Sequence, residues 1–122
     1  KGYTPWKLLG IGEDLPRDVY RQWRAWCQYP HYFFDDPEMA HLHDEFARVT
    51  LPITVANATD DLWSPASSRD AFMKGYRNAL ITRLDLDPQT FRSPIGHMGY
   101  FRANAHPLWD DALTWFETHP KR

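Results

Sequence analysis

Apolar positions change their period near residue 50. Before it they fall at helical spacing. Val19, Trp23 and Trp26 share one face, while Arg17, Arg21 and Arg24 share another. This predicts a helix from about Pro16 to Gln28, with Asp14 as its cap and Pro16 in its first turn. Tyr29 to Phe34 reads as an aromatic loop. Asp36-Pro37 opens a second helix, striped by Met39, Leu42 and Phe46 and ending near Arg48. After residue 50 the runs are shorter. Pro52 to Ala56 reads as a buried strand. Ser64-Pro65 begins a helix that carries Ala66, Phe72, Met73 and Tyr76 to about Arg77. Leu80 to Leu86 alternates as a half-exposed strand does. Asp87 to Pro94 is predicted as loop. A last helix from about Pro107 to Phe116 is expected to bury Leu108, Ala112, Leu113 and Phe116. No segment repeats.

The chain thus divides into a helical segment, 1–50, and a β-α-β-α segment, 51–122. The fold class is α/β. Two parallel strands joined by a right-handed crossover bring the loops after both strands to one edge, and ligands of open α/β sheets bind at that edge.

Composition narrows the possibilities. With 122 residues, 14 basic and 16 acidic side chains and a net charge of −2, the chain is one domain at most and has no electrostatic footprint for nucleic acid. No apolar run approaches the roughly 20 residues of a membrane span. The single cysteine, Cys27, excludes an intrachain disulfide and points to a reducing, cytoplasmic compartment. Six Trp, six Tyr and seven Phe are present, many of them in the first 40 residues. They suggest a surface that expects a partner or ligand.

The chemistry lies in two loops. Asp60-Asp61-Leu62-Trp63-Ser64-Pro65 follows the first strand, and Gly96-His97-Met98-Gly99-Tyr100-Phe101 follows the second after a loop. A carboxylate in the first loop can accept from His97 Nδ1, fix its tautomer and stabilise the imidazolium, which leaves Nε2 as a general base. Gly96 and Gly99 let the backbone beside the histidine pass close to other groups. The nucleophile is the missing part. Of Ser64, Ser67, Ser68 and Ser93, none sits in a Gly-x-Ser-x-Gly turn, and no serine precedes residue 61. The opening Lys1-Gly2-Tyr3 looks like an internal cut, so the chain is expected to be the back half of a longer protein.

These motifs resemble the C-terminal part of an α/β-hydrolase. The chain is most similar to a group of bacterial predicted serine hydrolases with a Gly-His-x-Gly-Tyr/Phe-Phe-Arg ending, matched by Gly96 to Arg102. Asp60 to Pro65 matches their acid turn, and Asp14 to Cys27 matches an Asp-Leu-Pro…Gln-Trp-Arg-x-Trp-Cys stretch. The resemblance covers essentially the whole chain. It implies a short parallel β-α-β-α unit preceded by lid-like helices, residues 13–47. It also implies a Ser-His-Asp triad with Asp61 as acid and His97 as base, acting on an ester, thioester or amide. The superfamily places the acid as Gly-x-x-Asp-x-x-x-Pro, which favours Asp61 over Asp60; here Ala58 occupies the glycine position.

Plainer roles stand beside these. Asp61 could be a solvated turn residue, Asp60 a group that holds the loop, and His97 a satisfied core histidine. Trp63 and Met98 are the candidate substrate contacts, with packing the simpler role for Trp63. His41 and His43 lie two apart on a predicted helix and point away from each other, so no metal site is expected, and no cofactor. The expected partners are a small acyl substrate and further copies of the chain, since a two-stranded sheet is marginal in water and an apolar edge recruits another strand. The alternative function is a non-catalytic, aromatic-rich binding or interaction module that shares the fold.

Overall fold

A computed structural model of the chain describes residues 15–119, Lys7 and the short strand β1, Tyr3–Thr4. Asp14, the expected cap of the first helix, lies outside the described residues. The protein is mixed α/β and divides into two compact units, Lys1–Ile53 with Asp70–Ile81 and Thr54–Arg69 with Thr82–Arg122.

In the first unit β1 pairs antiparallel with β2, Leu15–Pro16. Helix α1 follows at once, Arg17–Trp26. Asp18 in its first turn and Arg24 in its last both suit the helix dipole. The face of Val19, Trp23 and Trp26 is not buried in a core. With Leu15, Gln22 and Tyr32 it lines an open, largely apolar cleft of about 360 Å³. The aromatic loop closes into a 3-10 turn, Tyr32–Asp35, and Tyr32 takes a positive φ of 58°.

The expected helix from Asp36 to Arg48 is interrupted. A 3-10 turn, Pro37–Met39, is separated from a short helix α2, Leu42–Ala47. Asp36 caps the turn through the Glu38 amide. The Ala40 amide and then the His43 amide bond three residues back rather than four. His43 Nε2 donates to the Phe34 carbonyl at 2.7 Å, which draws α2 back onto the preceding turn.

The core of this unit is a ring cluster. Phe34, only 5% exposed, meets Phe33, Phe46 and Phe72 with centroids 4.6, 4.9 and 5.4 Å away, and Phe46 packs on Tyr76 at 4.8 Å. Such pairs add about 0.5–1.5 kcal/mol each beyond the apolar area they bury. The chain beneath Phe34 must be glycine: a Cβ on Gly75 would lie 2.1 Å from the ring. Trp26 settles its polar edge by donating from Nε1 to Asp36 Oδ2 at 2.8 Å.

Two strands, β3 at Pro52–Ala58 and β4 at Leu80–Leu86, form a small parallel sheet. The run Ile53-Thr54-Val55 is β-branched and favours the extended chain. The strand expected to be buried is only half-buried until Asn57 and Ala58, because a two-stranded sheet leaves most of its own surface uncovered. The intervening helix α3, Ala66–Met73, stops short of Arg77. Gly75 and the turn around it end the helix. The segment expected as loop holds one helical turn, α4 at Pro88–Phe91, with Asp87 capping the Gln89 amide and Arg92 ending it at φ 55°. Asp before Pro is a cap signal in the sequence. Helix α5, His106–Thr118, is longer than expected and buries none of its residues. Leu113 and Phe116 are 62% and 66% exposed, against the expectation that they face a core. Among the described residues no helix is long and apolar enough to cross a membrane.

Candidate active site

The site is built at the carboxyl end of β3, inside the second unit. The Thr59 amide donates to the Leu86 carbonyl at 3.0 Å, the last rung toward β4. The Asp61 amide then turns back to the Ala58 carbonyl at 3.1 Å. This tight turn carries the Asp61 side chain inward, where the residue is 5% exposed. Its Oδ1 accepts from the Trp63 and Ser64 amides at 2.9 and 3.0 Å, an Asx turn that fixes the carboxylate plane. Its Oδ2 lies 3.0 Å from His97 Nδ1.

The charge state of Asp61 follows from its contacts. Burial pushes the Asp61 carboxyl up. The Ser64 amide, the His97 ring and the Trp63 amide favour the carboxylate more strongly, and the pKa lies below the ordinary value. An ionised carboxylate only accepts, so Nδ1 carries a proton, and in the neutral ring Nε2 is the nitrogen with the lone pair. The His97 side chain is 46% exposed, and Nε2 meets no hydrogen-bonding partner among the described residues. The arrangement is an imidazole oriented through Nδ1, with Nε2 without a partner among the described residues.

The loop that carries His97 is held at several points. The two oxygens of Asp60 accept from the Ile95 and Gly96 amides at 3.0 and 2.9 Å. Ile95 is 1% exposed, and Gly96 takes a left-handed φ of 56°. Beyond the histidine, the Tyr100 hydroxyl accepts from the Ala58 amide at 2.7 Å, and the Tyr100 carbonyl accepts from Trp109 Nε1 at 2.6 Å. Burial raises the Tyr100 pKa, with the Ala58 amide opposing it, so the group stays a neutral hydroxyl.

The structure therefore brings Asp61 and His97 together. Trp63 joins them, its ring 5.5 Å from that of His97 and tilted by 34°, although the residue is 70% exposed. Met98 is 62% exposed on the same loop. Tyr100 belongs to the Gly96–Phe101 stretch, but the sequence assigns it no role. Its signal was only its place three residues after the histidine, and nothing in a linear chain shows that it reaches back to Ala58. Among the described residues no group of three or more His, Cys, Asp or Glu is placed to hold a metal ion. No protein-family model, no curated protein and no solved structure matches this chain.

Proposed function

We propose that this chain supplies the acid and the base of a serine-hydrolase triad, and that it is the C-terminal part of an α/β-hydrolase fold. One observation carries the reading: a buried, ionised Asp61, held by two backbone amides, orients His97 through Nδ1 at 3.0 Å and leaves Nε2 open. That is the division of labour by which a histidine deprotonates a serine hydroxyl and then returns the proton to the leaving group. The substrate class is an ester, thioester or amide, and Trp63 and Met98 are the side chains exposed beside the base. The attacking serine is assigned to a segment outside these residues, since Ser64, Ser67, Ser68 and Ser93 lack the turn that would present a nucleophile.

The test is labelling with a fluorophosphonate probe. This chain alone should not react. A longer polypeptide containing it should be labelled at a serine outside residues 1–122, and His97→Ala should abolish the labelling. Stoichiometric labelling of Ser64 in this chain would relocate the nucleophile, and a longer polypeptide without any His97-dependent serine would remove the hydrolase reading.

A non-catalytic binding module is the second reading, favoured by the cleft between Leu15, Trp23, Trp26 and Tyr32. Binding of apolar ligands with no covalent labelling anywhere would select it. The proposal also includes self-association through the free edge of β3 or the aromatic surface, and a reducing, cytoplasmic setting that suits the exposed free Cys27. Light scattering that shows a clean monomer at high concentration would count against self-association.

A further inference from the structure

We propose that Asp60 is a positioning residue for His97, an inference that rests on the reading of His97 as the base. Asp60 and Asp61 are neighbours in sequence, yet they hold different parts of the same loop. Asp61 holds the ring. Asp60 holds the backbone, one oxygen on the Ile95 amide and the other on the Gly96 amide, immediately before the histidine.

The two consecutive amides take one oxygen each of the same carboxylate, so the chain's own side chain fills the place of a bound anion. Gly96 at φ 56° then turns the backbone directly after this clamp, at the step into His97. The buried Ile95 side chain anchors the loop on one side of His97, and the bond from Ala58 to Tyr100 anchors it on the other. The imidazole cannot reach Asp61 from a loop free to swing. Bonds to an ionised acceptor are stronger than neutral ones, so the carboxylate, not merely a polar residue, is what the position requires. Asparagine would keep the shape. It would offer one acceptor, and its amide group would face a backbone donor.

The experiment follows the histidine ring protons of the 15N-labelled full chain by NMR. The wild type should show a strongly deshielded Nδ1 proton on His97 that is lost in Asp61→Asn. If the wild type shows none, the triad reading fails and this inference fails with it. In Asp60→Asn the Nδ1 proton should exchange with water roughly ten- to a hundredfold faster, the scale of losing a hydrogen bond to a charged group. Asp60→Glu, which keeps both acceptor oxygens, should restore most of the protection. The Trp109 indole proton, bonded to the Tyr100 carbonyl, reports that the surrounding structure is intact. An Asp60→Asn protein with a lower melting temperature but an unmoved His97 signal would overturn the positioning role and leave the triad reading standing. Should Asp60→Asn fail to fold, amide exchange in the wild type decides. Protected Ile95 and Gly96 amides support the proposal, and amides that exchange like an open loop overturn it.

Discussion

In the first unit the centre is Phe34, ringed by Phe33, Phe46 and Phe72, and its polar bonds lie around the edges of that cluster. In the second unit the centre is a pair of carboxylates, Asp60 and Asp61, that gather backbone amides and one imidazole from a distant loop. The first arrangement draws on apolar burial, which is non-directional and tolerates shifts of tenths of an ångström. The second draws on directional bonds in a partly dry setting, which fix a loop to one geometry at little cost in apolar surface. The second arrangement fixes the direction of a ring nitrogen; the first fixes only how closely the rings pack.

The comparison breaks most visibly at Phe34. Phe34→Ala should lower stability by about 3–5 kcal/mol, the range for truncating a buried ring, read by urea denaturation. Gly75→Ala should cost about 1–3 kcal/mol through overpacking, and the two changes together should cost less than their sum, because the smaller side chain at 34 makes room for the Cβ. Full additivity would show that the ring and the glycine do not touch in solution.

Asp61→Ala should cost about 1–3 kcal/mol, the penalty of leaving donors without their acceptor. Its pH dependence sharpens the contrast. The folded Asp61 carboxyl ionises at a lower pH than the unfolded one, whose ordinary value is about 3.9. Its stabilising contribution is complete above the unfolded value and is lost as pH falls through the folded one. Asp61→Asn should therefore be less sensitive to acid than the wild type in that window, as measured by denaturant midpoints at a series of pH values. Equal slopes would mean that the carboxylate is not held by its amides.

The smallest effects belong to α5. Leu113→Gln and Phe116→Gln should each shift stability by no more than about 0.5 kcal/mol, as exposed positions do. A loss of 2 kcal/mol or more, dependent on protein concentration, would show that a second chain covers this helix.

Local patterns in the sequence located β4 and the two loops well, ended β3 two residues early at Ala56, and missed the β1–β2 pair, whose Pro16 reads locally as a first helical turn. Leu80 to Leu86 is a strand with the expected bounds, and the Asp61–His97 contact was expected from two loops at one sheet edge. What escaped was non-local. The break between Pro37–Met39 and α2 depends on His43 reaching the Phe34 carbonyl, nine residues back. A stripe at helical spacing also says only that a face is apolar. It led to an expected core contact for Leu113 and Phe116, whereas these side chains are exposed. Asp60 and Asp61 look alike in the chain, and only the positions of the Ile95 and Gly96 amides separate their tasks.

The bond between the Tyr100 hydroxyl and the Ala58 amide has a consequence for how chains can add to the sheet. Peptide groups along a strand point alternately to its two sides. The Thr59 amide faces β4, so the Ala58 amide faces the edge of β3 away from β4, and there it already has its acceptor. Tyr100 thus stands where the first carbonyl of an added strand would stand. A strand joining β3 from outside must stop before Ala58, so its register is limited to the residues nearer Pro52. The loop that carries the histidine also sets a boundary on what can dock beside it.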